Sequence, residues 1–447
     1  MDPQRPDVAS RPWTRLRAKL QELLGRGLLR KIVGNTFWQV TDKVLRLVFG
    51  LLVGVWIARY LGPAQFGLLN YSVAFVALFA FLSEAGLQAV LIRELVRRPG
   101  DRIELLASAV TVRLLGAGVA VCLAVGANWM IRRDSPGTHV LVLVIALGML
   151  VQSMDIIEFD YQARMTPKPV VAIRIASLLV SSIVKLALIA AGARLIWFAA
   201  ATTGETALSA LLLWTAARAQ SPVFRLSAAR LGRMKELLAS SWPLAIASLS
   251  VILYMRIDQV MLGQMLGDRA VGIFSAAVRI SESWYFVPMA IMSAVSPALT
   301  AAYLHSQDAK RRRLLLLTRV MIWLGVVLAA GITLCARPLI LFLYGSEYSE
   351  AGAVLTVHAW AGVFVSLGLA SGPWFVNANL LKLRMSYTVL GALVNVAMNT
   401  YMIPHYGVVG AAVATLVSYC LTGFLMNAVS AASRPVFFLQ VRSLVLR

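Results

Sequence analysis

Residues 34–50 read GNTFWQVTDKVLRLVFG and run on into LLVGVWIARYLG at 51–62. The stretch is apolar enough to enter lipid, yet it carries Asp42, Lys43 and Arg46. Charges at membrane depth are costly, and they face a bundle interior or a water-filled cavity. Asn35, Gln39, Asp42 and Arg46 are spaced by four, three and four, so they share one helical face, with Lys43 beside it. At ~1.5 Å per residue, Arg46 lies ~16 Å along the helix from Asn35, near the midplane of a ~30 Å hydrocarbon layer. The segment reads as a membrane span with one wet face.

The rest of the chain agrees with a membrane setting. Its 447 residues are 59% hydrophobic and 14% charged, with mean hydropathy +0.77. A soluble domain is about 45–50% apolar and about 25% charged. Twelve spans are predicted, near 35–58, 66–92, 105–131, 139–159, 170–191 and 192–217, then 238–263, 270–301, 314–336, 350–376, 384–403 and 407–430. Only AAGARL marks the boundary between the fifth and sixth. The predicted fold is an all-α polytopic membrane protein, with about 12 transmembrane helices in two six-helix lobes around a central cavity.

Cys122, Cys335 and Cys420 each sit in an apolar run, as small apolar residues rather than zinc ligands or a disulfide. The first 34 residues lack the apolar core of a cleavable signal peptide. Their basic stretch TRLRAKLQELLGRGLLRKIVG has Leu16, Leu20, Leu23 and Leu24 on one face, the pattern of a helix lying on an anionic membrane surface. A disordered basic tail is the alternative.

The formal net charge is +22, which in a soluble protein points to nucleic acid. Here the cations sort by loop. The termini and even-numbered connections hold 28 Lys and Arg, the odd-numbered connections 6, and the spans the other 8. The positive-inside rule then puts both termini in the cytoplasm and accounts for the basic excess without a nucleic-acid partner.

The expected organisation is a basic segment at 1–34, an N-lobe at 35–217, a basic linker at 218–236, a C-lobe at 237–430 and a short tail at 431–447. The two sets of six spans share a motif. YLGPAQFGLLNYS follows the first span and MLGDRAVGIFSAA follows the seventh. Leu61, Gly62 and Gly67 correspond to Leu266, Gly267 and Gly272 at an offset of 205. Six spans per set make this a parallel repeat, an arrangement that leaves a cleft between bundles and permits alternating access by rocking.

Charged and polar residues recur inside the spans. Arg174, Ser177, Ser181 and Lys185 form a stripe in the fifth. Gln152, Asp155, Glu158 and Gln162 do so in the fourth, and Ser275, Arg279 and Glu282 in the eighth. Glu84, Arg113 and Glu205 stand alone, and the seventh span carries Arg256 and Asp258 two residues apart, on different faces. Eight cations against seven acids allow a purely structural reading as buried ion pairs. Spans ten to twelve have no Asp, Glu, Lys or Arg in their interiors, only His358, Asn395 and Asn399, and that concentration favours a polar cavity lined by spans one, two, seven and eight. Pro288 and Pro297 would loosen the eighth span.

The run YMRIDQVMLGQMLGDRAVGIFSAAVRISESWYFVPMAIMSAVSPALTAAY resembles the seventh and eighth spans of polysaccharide flippases. WQVTDKVLRLVFGLLVGVWIARYLGPAQFGLLNYSVAFVALFAFLSEAGLQAVLIREL is similar to their first two, and PHYGVVGAAVATLVSY to their last. These are the O-antigen and exopolysaccharide members of the multidrug/oligosaccharidyl-lipid/polysaccharide exporter superfamily. The resemblance implies two lobes around a cationic cavity in the bacterial cytoplasmic (inner) membrane. It also implies movement of an undecaprenyl-diphosphate-linked oligosaccharide to the periplasmic leaflet, for lipopolysaccharide or exopolysaccharide synthesis beside a glycan polymerase and chain-length regulator. Lys43, Arg46, Arg256 and Arg279 match the family's basic positions and are the expected substrate-binding cations. The second span supplies Glu84 instead of a base. Asp42, Glu84, Asp258 and Glu282 are candidate cavity or coupling acids, and Arg174, Ser181, Lys185, Asp155 and Glu158 form a secondary polar stripe.

No GxxxxGK[ST] motif is present, so a gradient of H+ or Na+, or downstream consumption, would supply any energy, with no cofactor expected. An organic-cation antiporter of the same fold would want an acidic cavity. A membrane-embedded polymerase or ligase would want catalytic groups on a large outer loop, and the longest, near RPLILFLYGSEYSE, has no paired carboxylates with His. The chain is therefore expected not to be an enzyme.

Overall fold

Two glycine turns explain why the longest helices exceed the width of a membrane. In the computed structural model, which describes residues 12–220, 226–292, 295 and 307–445, one helix runs Pro12–Ala77, 66 residues. That is ~100 Å of helix against a ~30 Å hydrocarbon layer. Gly62 has φ +70°, where a residue with a Cβ is disfavoured, and it turns the chain from the first span into the second. Leu381–Cys420 is likewise divided at Gly407 (φ 60°, ψ −142°) into the eleventh and twelfth spans. Nine stretches among the described residues are long and apolar enough to cross a membrane. Dividing Leu381–Val429 at Gly407 and adding the interrupted second and eighth spans brings the number to twelve.

The helices start and stop in places the hydropathy pattern leaves open. The segment before residue 35 is helical from Pro12 and continuous with the first span. The fifth and sixth spans are Lys168–Ala190 and Leu195–Gln220. The seventh helix, Leu231–Met265, begins inside the expected linker, of which residues 221–225 lie outside the described residues. The tail carries a helix, Arg434–Ser443, with Val436, Leu439 and Gln440 buried.

Three spans expected as continuous are interrupted. The second breaks at Leu78–Phe79 and again at Ala85 and Gly86, both left-handed (φ 47° and 62°). The fourth passes through a tight 3₁₀ turn, Ser153–Asp155, between Pro136–Gln152 and Ile156–Ala163. The eighth leaves helix Asp268–Ser283 at Trp284 and Tyr285. Pro288 lies four residues beyond Trp284, so the ring crowds that carbonyl and withholds a hydrogen bond. Pro297 lies outside the described residues.

Spans one to six and seven to twelve form two lobes, and the repeated motifs meet where the lobes cross. A Cβ on Gly67 would strike the backbone of Asp268 and Gly272, and one on Gly272 would strike the backbone of Pro63. Beside this crossing, Arg132 of the N-lobe pairs with Asp268 at 2.7 Å, donates to the Gly263 carbonyl at 2.6 Å and stacks 3.7 Å over Tyr71. Tyr348 donates to the Ala58 carbonyl at 2.8 Å. These contacts close the lobes at the end of the bundle away from the basic loops. At the basic end, Arg233 of the seventh helix pairs with Asp101 and, at 3.0 Å, with Glu104 of the N-lobe. Many large apolar side chains stay on the outer surface, such as Leu52, Trp56, Ile183 and Phe342, as lipid contact requires.

Candidate functional site

The opening stretch divides its charges between two neighbours. Asp42 and Arg46 face the N-lobe. Arg46 lies 3.4 Å from Asp42 and 3.5 Å from Glu205, and Lys185 lies 3.1 Å from the other oxygen of Glu205. Arg174 lies 3.9 Å from Asp42 and 2.6 Å from Glu158, which also accepts from Gln162 at 2.8 Å. The result is one chain of ion pairs through spans one, four, five and six, with three carboxylates and three cations. It neutralises itself, so the structural reading as ion pairs describes these six residues. Ser181 belongs to the same packing, with its hydroxyl 3.5 Å from the Ala201 carbonyl. The side chains of Asn35 and Gln39 lie outside the described residues.

Lys43 points elsewhere. It is exposed, and on a helix of 100° per residue it lies within about 20° of Gly50 and Gly54. That face receives Arg279 from the eighth span. Its guanidinium fills the space beside Gly54, lies 3.5 Å from the Gly50 carbonyl and 5.6 Å from the Phe66 ring centre. The titratable groups beside it are Tyr344, a neutral phenol, and Arg256, with no carboxylate among them. Arg256 is half-buried on the seventh span and within electrostatic reach of Glu282, yet neither forms an ion pair among the described residues. Lys43, Arg256 and Arg279 are thus cations on facing spans of the two lobes without ionic partners among the described residues.

Asp258 sits two residues from Arg256 but does not pair with it. It is 3% exposed and accepts hydrogen bonds from the Asn399 amide and, at 2.6 Å, from the Thr415 hydroxyl. Asn399 also donates to Asn395 at 3.1 Å, while the Asn399 oxygen and the Asn395 amide nitrogen have no bond of their own. The carboxylate is thus held by one amide and one hydroxyl, with no ion pair among the described residues.

Glu84 and Asp155 lie beside one end of the N-lobe chain without joining it in an ion pair among the described residues. They line a cavity of about 770 Å³ between spans two to five of the N-lobe and the seventh span. Glu158, Arg113 and Arg174 share it.

Three contributors escape a reading by periodicity. Arg384 looks like an ordinary loop cation in KLR, yet it enters the C-lobe, donates to Ser371 at 3.3 Å and to the Gly368 carbonyl at 3.2 Å, and lies 5.4 Å over Phe375. Glu205 is a lone acid in sequence but the hub of the N-lobe chain. Thr415 carries no signal of its own beyond lying in a span that also holds small residues.

Residues 32–303 match the family described as "Polysaccharide biosynthesis protein", and residues 243–401 match MatE. Over 177 residues the chain is 29% identical to the probable flippase AglR of Haloferax volcanii, an alignment that covers 38% of this chain and only 37% of that relative. Among solved structures, a multidrug resistance MATE family transporter of the MOP superfamily in an inward-facing conformation superposes with TM-score 0.70 at 14% identity, over 89% of this chain and 94% of that one. The lipid II flippase MurJ in an inward closed conformation gives 0.64 at 14% identity, over 92% and 91%. At such identities the superpositions speak to the fold, a multi-pass helical membrane protein of two lobes. With a match over more than half of its length, the chain belongs to the polysaccharide biosynthesis protein family.

Proposed function

We propose that the protein is a flippase for a polyprenyl-diphosphate-linked oligosaccharide. The observation that carries this reading is the trio Lys43, Arg256 and Arg279, which form no ion pair among the described residues. A cation held at membrane depth without a counter-ion is unstable unless a ligand supplies one. A diphosphate supplies two anionic groups, and guanidinium binds phosphate through charge-assisted hydrogen bonds. The lipid tail stays in the bilayer while the sugars use the space between the lobes.

In this reading the basic loops and both termini face the cytoplasm of a bacterial inner membrane. The lobes meet on the periplasmic side at Gly67 and Gly272, and substrate enters from the cytoplasmic leaflet when the Arg233 pairs with Asp101 and Glu104 at the basic end release. The lipid is undecaprenyl diphosphate, and the product feeds a polymerase and chain-length regulator that build O-antigen or exopolysaccharide. Asp258, with Asn395, Asn399 and Thr415, is the coupling group for H+ or Na+. Asp258→Asn should then remove the dependence of transport on pH and on Na+ together, whereas a dependence that persists places coupling elsewhere.

The deciding experiment replaces Arg256 and Arg279 singly by Ala in a strain lacking this gene. Loss of surface glycan at normal membrane levels of the protein is expected. Full export by both variants sinks the reading. The MatE match and the carboxylates at Glu84 and Asp155 favour an organic-cation antiporter as the second reading. Drug resistance that survives both arginine variants and fails with Glu84→Gln would select it.

A further inference from the structure

We propose that the cavity between spans two to five and the seventh span recognises the sugars of the lipid-linked substrate, and that it accepts uncharged sugars while rejecting acidic ones. This rests on the flippase reading above. The cavity, about 770 Å³, is within the range of a site for one small organic ligand, about 300–1,000 Å³. Two chain interruptions place acids at it: Glu84 immediately precedes the left-handed pair Ala85–Gly86, and Asp155 ends the 3₁₀ turn of the fourth span.

Its polar groups are incompletely matched. Arg174 and Glu158 neutralise each other at 2.6 Å. Glu84 and Asp155 have no ion pair among the described residues. Arg113 is 3% exposed, and its Nε has no hydrogen-bond partner. The charges that act on it are Asp155, Glu84 and Glu158, all beyond ion-pair distance. A buried donor without a partner is costly, so a ligand oxygen is the expected complement. Carboxylates only accept, and a guanidinium only donates. A ligand hydroxyl does both, so a polyhydroxylated ring satisfies Arg113, Glu84 and Asp155 together. The three acids exceed the two cations by one, which sets a sugar carboxylate against like charge.

The cavity is also in register with the cation trio. Ser248 and Ile252 line it, and Arg256 is the next residue on that face of the seventh helix, ~6 Å further along. A diphosphate at Arg256 therefore leaves its first sugars beside Glu84 and Asp155.

The test uses the full-length protein in lipid nanodiscs and three probes: farnesyl diphosphate, farnesyl-diphosphate-linked glucose and farnesyl-diphosphate-linked glucuronate. The glucose probe should bind at least tenfold more tightly than the glucuronate probe. In Glu84→Gln/Asp155→Asn that ratio should fall toward one, and Glu84→Gln alone should lower it if the double variant does not fold. Equal affinities in the wild type, or a ratio that survives substitution in folded protein, overturn the proposal. Arg279→Ala should weaken all three probes. Farnesyl diphosphate binding that ignores Arg279→Ala instead overturns the flippase reading on which this one stands.

Discussion

Arg46 and Arg279 are chemically the same residue in opposite circumstances. Arg46 has two carboxylates within 3.5 Å, and each keeps another cation when Arg46 is removed: Arg174 for Asp42, Lys185 for Glu205. Arg46→Ala should therefore leave a substantial part of glycan export intact. Arg279→Ala removes a guanidinium with no carboxylate to satisfy, so its loss falls on substrate. A hydrogen bond to a charged group contributes about 1.5–3 kcal/mol, so binding of a diphosphate lipid should weaken about 10- to 100-fold. Titration of both purified variants with farnesyl diphosphate checks the contrast. Glu205→Ala belongs to stability instead. It strands Lys185 and weakens Arg46 in a half-buried cluster, at a cost of about 1–3 kcal/mol, and should appear as a lowered unfolding temperature in detergent.

At the scale of elements, the crossing of the second and eighth spans is the sharpest steric constraint. Both clashes expected at Gly67 and Gly272 are with backbone, so no rotamer change relieves them. Gly67→Ala should cost the closed crossing about 1–3 kcal/mol and shift the lobes toward separation at that end. Spin labels across the second and eighth spans would record a longer distance. This element was legible early, because a left-handed turn and a close approach both demand glycine and leave the pattern LGxxxxG twice. The partner of a polar face leaves no such trace. The spacing of Asp42 and Arg46 places them on one side of a helix, but whether that side meets Glu205 or Arg279 is decided by packing between segments far apart in sequence. For the same reason spacing alone does not place Lys43, one residue from Asp42, on the side of the helix that carries Gly50 and Gly54, nor Arg384 inside the C-lobe. The interruption at Ala85 was hidden because alanine does not announce a positive φ.

For the whole molecule, hydropathy and loop charge sufficed for twelve spans in two sets. The division of labour between the sets was not readable from composition. Eight cations against seven acids look balanced overall, while in space the chain through Asp42, Arg46, Glu158, Arg174, Lys185 and Glu205 neutralises itself and, among the described residues, Lys43, Arg113, Arg256 and Arg279 form no ion pair. Arg132 joins the lobes through Asp268, the Gly263 carbonyl and Tyr71, which in turn accepts from Gln264 at 2.5 Å. Arg132→Ala should loosen the closed end and raise the reactivity of a cysteine introduced at position 264 toward water-soluble thiol reagents. Reactivity equal to that in the otherwise wild-type background would show that Arg132 does not hold that end shut. The crossing itself has a further consequence. An offset of 205 carries Gly67 onto Gly272 and Pro63 onto Asp268, so each half of the contact is the image of the other. Such a patch complements itself, as in an isologous dimer. An ancestor of six spans, before duplication, would have paired with a second copy of itself through that surface, and in the present chain enlarging either glycine breaks the same contact.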